Sequence, residues 1–176
     1  MNRRNVFSLL GMVLCVVALL LPGTVLADAE SVCETARTAA LQAQNEALSG
    51  QSATQNLADR YTELIERWCL AYNANSEACS EFESARAAMC ADYADIMYDT
   101  ESGLSAGNGY LSTVAGDMYT AEAFRSLDQW VDATAEFNAA KTAAIAAKNC
   151  FTACAAVEAI LDDLEGLVVL AESTGM

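Results

Sequence analysis

Cys150 and Cys154 stand four residues apart in the stretch Lys-Asn-Cys-Phe-Thr-Ala-Cys, residues 148–154, of a chain that has seven cysteines and no histidine. Two thiols at that spacing can hold a metal, exchange electrons or anchor cross-links. Structural zinc sites combine thiolates with imidazoles, or use four thiolates in close sequence pairs. Here there is one close pair and no imidazole, so no metal site is expected. A catalytic dithiol is normally spaced by two residues at a helix start, whereas this pair is spaced by three inside helical sequence. Cross-linking remains.

Cys15 lies within the apolar N-terminal run, which leaves Cys33, Cys69, Cys79, Cys90, Cys150 and Cys154. An even set of cysteines in an exported chain reads as disulfides. Residues four apart on a helix hold their Cβ atoms about 5–6 Å apart, while a disulfide wants about 3.8 Å. Cys150 and Cys154 should therefore bond two different partners. Cys69 and Cys79 lie equally far from the turn signal Asn73 to Ser76 and are expected to pair across it. Cys33 and Cys90 then join Cys150 and Cys154, in one order or the other, and rivet the last helix to the first and third.

Other constellations carry less. A hydrolytic triad normally needs a histidine base, and no glycine-rich phosphate loop opens a helix. Asp92, Asp95 and Asp99 share a helical face, and Asp162, Asp163 and Glu165 cluster later. Without the central glycine of a calcium loop, these read as solvated faces. Tyr61, Trp68, Phe82, Tyr93, Trp130 and Phe137 read as core, although such a stripe could also line a cavity for an apolar ligand. No cofactor and no enzymatic activity are expected.

The elements that must position these residues are helical. After Pro22 the chain has no proline, Ala, Leu, Glu, Gln and Met dominate, and no alternating β-branched runs appear. Cys33, Ala36, Ala40, Ala43, Ala47, Gly50, Thr54, Leu57, Tyr61, Leu64 and Trp68 keep an unbroken three-four rhythm. That suits one helix of about 40 residues. Gly50 and Ser52 argue instead for a stop and a new cap, and the cysteine pairing, which needs Cys33 folded back, favours that turn. A second helix carries Phe82, Met89, Tyr93 and Met97. Residues 102–116, rich in glycine and serine, read as a long loop whose Tyr110, Leu111 and Val114 are candidates for partner binding. Helix resumes near Asp117 and runs through Leu127, Trp130 and Val131 to Val168. Its apolar stripe slips phase near Lys148 and Asn149, so a bend is expected there.

The ends and the charge place the protein. Arg3 and Arg4, the apolar run Val6 to Leu21 and the small residues Val25 and Ala27 read as a secretory signal cleaved after Ala27. Removing residues 1–27 leaves 7 basic against 24 acidic residues, a net charge of −17. Such a surface repels nucleic acid and anionic lipid heads, and no membrane anchor is expected after cleavage. The sequence thus describes an all-α, antiparallel bundle of four to five helices over residues 28–176, stapled by three disulfides. Its expected place is the bacterial periplasm or cell surface, and its expected work is binding another protein, with carriage of a small apolar ligand inside the bundle as the alternative.

Overall fold

The computed structural model describes the backbone of residues 3–74 and 76–174, and the side chains of residues 28–74, 98 and 100–173. Among these residues there is helix and no strand. Helix α1 spans Arg3–Ala74 and α2 spans Ser76–Ser126. The third long helix is interrupted: α3, Trp130–Ala153, passes through a single 3-10 turn at Cys154–Ala156 into α4, Val157–Thr174. The all-α bundle is as expected, but it has three long rods rather than four or five.

Ion pairs and amide contacts fix the register. Glu34, Arg37 and Gln51 of α1 meet Arg125, Glu122 and Asn108 of α2 at 2.6, 2.5 and 2.7 Å. Partner numbers fall as α1 numbers rise, so these helices are antiparallel. Glu46, Arg60 and Arg67 of α1 meet Lys148, Asp162 and Glu172 at 2.8 Å each. There the numbers rise together, so α3 and α4 run parallel to α1. Arg37, Arg60, Arg67, Arg125 and Lys148 all reach across to another helix, which leaves the acidic excess to the surface.

The core follows from heptad spacing. On α1, Cys33, Ala36, Ala40, Ala43, Ala47, Thr54, Leu64 and Trp68 are all buried. On α3, Ala133, Phe137, Ala140, Ala144, Ala147 and Phe151 are buried in the same rhythm. A 3.5-residue repeat keeps one seam facing the neighbour and supercoils the helices left-handedly. The seam changes character along the rod. Towards residues 33–47 it is mostly alanine, so the helices can approach closely. Beyond residue 57 it is Leu64, Trp68, Leu161, Leu164 and Val168, with Tyr61 and Ile65 packed alongside.

Four sequence expectations are corrected. The glycine-rich segment 102–116 is not a loop but lies within α2. Thr100, Gly107, Val114 and Ala121 point inward from it, with Leu104, Leu111 and Met118 half-buried between them. Gly50 does not stop α1, because the heptad rhythm continues through it and its missing side chain is used for packing. The helix resuming near Asp117 does not run on through Leu127 and Val131: the chain reverses between α2 and α3. Asp128 takes a left-handed backbone, φ 57°. The Asp128 N–H donates to the Arg125 carbonyl at 3.2 Å, and the Gln129 N–H to the Phe124 carbonyl at 3.0 Å. This is a Schellman closure with aspartate where glycine is usual, leaving Leu127 and Val131 67% and 74% exposed. Lys148 and Asn149 lie within α3, and the interruption is the 3-10 turn at residues 154–156.

Candidate functional site

The site is built around the 3-10 turn and the cysteines that frame it. Core residues of the third helix recur at three-four spacing up to Ala147 and Phe151, then at three and three through Cys154 and Val157, then at three-four again from Leu161. A three-residue insertion in a heptad pattern overwinds the helix. Two successive steps of three need 3.0 residues per turn to keep facing the core, which is the pitch of a 3-10 helix. The turn at Cys154–Ala156 is the local answer to that spacing.

Phe151 sits at this level, and glycines make room for it. A Cβ on Gly107 of α2 would lie 2.3 Å from its ring, and one on Gly50 of α1 would lie 3.1 Å from its Cβ. A Cβ on Gly103 would come within 2.9 Å of the Cys154 sulfur. The glycines that resemble turn signals in the sequence are therefore sockets for Phe151 and Cys154. Ala47, Ala147 and Phe151 form a small cluster of their own between the alanine core and the leucine core. Thr54, 2% exposed, places its hydroxyl 3.0 Å from the Gly50 carbonyl and 3.3 Å from that of Phe151. Among the described residues, no buried side-chain polar atom lacks a partner.

Two open grooves flank the turn. One, of about 480 Å³, runs between α1 and the third helix and is lined by Gly50, Ala53, Leu57, Arg60, Phe151 and Ala155. The other, of about 450 Å³, faces α2 and is lined by Thr100, Gly103, Cys150, Cys154, Val157 and Ile160. Above the first groove, Arg60 holds Asp162 and Glu165. Two members of the expected acidic cluster are thus tied into helix pairing, and Asp163 stays at the surface. Lower down, Lys148 holds the Glu46 carboxyl below its ordinary value by hydrogen bonding, with help from Gln42. Arg67 does the same to Glu172.

No known family model, curated protein or solved structure is significantly similar to the chain.

The thiols do not form the expected rivets. Cys33, Cys69, Cys150 and Cys154 make no disulfide with one another. Cys33 is wholly buried in the alanine core, beside Ala36, Ala133 and Phe137. Because α1 and α3 run parallel, it lies roughly 22–28 Å below the level of Cys150 and Cys154 at 1.5 Å per residue. Cys154 sits at the level of Thr100, whose carbonyl is 3.9 Å from its sulfur, and residue 90 lies ten residues further along α2, about 15 Å. The continuity of α1 thus removes the premise for joining Cys33 to this pair. The side chains of Cys79 and Cys90, and with them the Cys69–Cys79 pairing, lie outside the described residues, as do Asp92, Asp95, Asp99, Phe82 and Tyr93.

The candidate binding residues separate. Val114 is fully buried and Leu111 packs half-buried against the cluster around Phe151, while Tyr110 remains 44% exposed. Ser102, Ser105, Gly109, Ser112 and Gly116 are among the residues of this stretch that face solvent. The three-four rhythm of Leu104, Gly107, Leu111, Val114, Met118 and Ala121 was the signal in the sequence that this segment is helical. Among the described residues, no group of three or more Cys, Asp or Glu side chains is placed to hold a metal ion. No described helix is long and apolar enough to cross a membrane.

Proposed function

We propose that this chain is an exported, non-enzymatic helical protein that works by binding another protein, in the periplasm or within a cell-surface assembly. One observation carries the reading. Residues 102–116 hold no charged side chain, although the mature chain carries −17, and the half of this stretch that does not enter the core is exposed. Depletion of charge marks the centre of protein interfaces. A solvated helix in so acidic a chain would ordinarily carry charges on its outer face.

A second reading is supported by the grooves beside the 3-10 turn, whose volumes fall in the range of small-molecule sites. In that case the protein carries a small apolar ligand between its helices. Both grooves are open to solvent, which favours the first reading.

Native mass spectrometry of the protein purified gently from its host envelope separates the two. Recovery with a bound protein chain is the expected result. A stoichiometric small apolar molecule, lost when Ala53 or Ala155 is enlarged to Phe, would replace protein binding with ligand carriage.

A further inference from the structure

α2 presents a second heptad face, on the side away from the bundle. Tyr98, Ser102, Ser105, Gly109, Ser112, Gly116, Tyr119 and Ala123 recur at alternating four- and three-residue steps, and all are exposed. The buried positions of the same helix run two residues out of phase with them. Tyr98 and Tyr119 are 70% and 79% exposed, so the face carries large aromatic side chains as well as small ones. A Cβ on Gly109 or Gly116 would meet nothing within 4 Å. These glycines therefore have no packing role within the fold, yet each weakens the helix relative to alanine.

We infer that this face binds a second copy of the same chain, α2 lying antiparallel on α2 of the partner across a two-fold axis between Tyr110 and Leu111. This deepens the protein-binding reading above and rests on it. Three features of the face select a second copy. First, the face is self-complementary, as a two-fold interface requires. Antiparallel pairing sets Tyr98 against Ala123 and Tyr119 against Ser102, large against small. Gly116 then meets Ser105 and Gly109 meets Ser112, so the backbones can close at the axis. Second, no charged residue stands on the face. Two chains of −17 repel wherever their acidic surfaces meet, and this strip keeps carboxylates away from its centre. They flank only its ends, where exposed Glu101 of one copy lies near Glu122 of the other, a carboxylate already held by Arg37 and Arg125. Third, the extent sets the strength. Residues 98–123 span roughly 38 Å of helix, and a strip about 12 Å wide buries on the order of 900 Å² over both partners. That is below the roughly 1,200 Å² at which stable specific interfaces begin, so the dimer should be weak and concentration-dependent rather than permanent.

Sedimentation equilibrium of the exported protein, in reductant so that exposed Cys69 cannot cross-link copies, tests this. Three forms are compared: wild type, G109E/S112E and G109K/S112K. Wild type should rise towards twice the monomer mass with concentration, and each variant should associate at least tenfold more weakly. An equimolar mixture of the two variants should recover the dimer, because residue 109 of one copy faces residue 112 of the other. Both variants should keep wild-type helicity, since neither position touches the bundle interior. The inference is overturned by a wild type that stays monomeric to millimolar concentration, even if native mass spectrometry finds some other protein bound. It is equally overturned by a Glu variant that associates like wild type, by a mixture that stays monomeric, or by a variant that loses helicity.

Discussion

Replacing single glycines of α2 by alanine should give effects of opposite sign two residues apart. In an exposed helix position, Gly→Ala stabilises by about 0.5–1 kcal/mol, because alanine restricts the unfolded chain more than glycine does. Gly109 meets this condition, as does Gly166 of α4, since an added Cβ touches nothing at either. Gly107 does not. Its new Cβ would fall 2.3 Å from Cε1 and 2.4 Å from Cζ of Phe151. The ring or the helices must then shift, and room towards α1 is limited, since even a Cβ at Gly50 would lie 3.1–3.6 Å from the Phe151 side chain. Overpacking of this kind costs about 1–3 kcal/mol, which exceeds the propensity gain. The net expectation is that G107A destabilises by about 1–2 kcal/mol while G109A and G166A stabilise.

For a chain of this length 1 kcal/mol moves Tm by roughly 2–4 °C. The two classes should then differ by roughly 3–12 °C in thermal melts followed by circular dichroism at low protein concentration. G50A, whose Cβ would come only to 3.1 Å, should lie between them. A cycle with Phe151→Leu tests the cause: with the ring gone, the penalty at Gly107 should shrink or reverse, giving a coupling of about 1 kcal/mol or more. G107A melting at or above G109A would refute the argument. It would mean that residues 102–116 do not pack on Phe151, and the loop read from the sequence would return.

Other expectations follow from the turn, the thiols and the ion pairs. D128G should stabilise by about 0.5–1 kcal/mol in urea titrations, because glycine enters the left-handed region without a Cβ clash, whereas D128V should destabilise. Timed alkylation of the native, reduced protein followed by peptide mapping should modify exposed Cys69 first and Cys33 only on unfolding; early labelling of Cys33 would deny the alanine core. Glu46 and Glu172 have folded-state pKa values depressed below the ordinary 4.5 by Lys148 and Arg67. The stability they contribute is present above the unfolded carboxylate value and is lost as pH falls through the folded one. Urea midpoints of E46Q/E172Q should accordingly fall less between pH 6 and pH 3 than those of wild type, and an unchanged slope would show that these surface pairs contribute nothing measurable.

The helical character and the seam of α1 were legible in the sequence because each rests on local spacing: the three-four rhythm from Cys33 to Trp68 coincides with the buried stripe. The glycines were not legible. Gly50, Gly103 and Gly107 have the same local signature whether they end a helix or admit a neighbour. The difference lies in Phe151 and Cys154, which stand 101, 51 and 44 residues further along the chain. The cysteine pairing, which needs Cys33 folded back towards Cys150, also favoured the stop at Gly50, and the parallel register of α1 and α3 removes that Cys33 bridge. The reversal at Asp128 was missed for the opposite reason: it contains neither glycine nor proline, and aspartate enters the left-handed region without advertising it.

The 3-10 turn shows where local reading stops and packing takes over. The slip of phase near Lys148 was visible, yet the turn lies at Cys154–Ala156. Phase alone cannot locate a three-residue insertion, because either neighbouring apolar residue can be counted into the seam. Phe151 settles it. Its ring packs against the sockets at Gly50 and Gly107, so the seam is pinned there and the insertion is absorbed after it. Cys154 then follows at three residues, its sulfur seated over Gly103, and Val157 at three more. If that is the cause, moving the socket should move the turn. In F151A the pin is lost, and the overwound segment should spread or shift. Amide hydrogen exchange at residues 150–158 should then accelerate more than the global loss of stability requires. Uniform acceleration along the whole third helix would instead mean that the turn is fixed by Cys154 and Val157 alone.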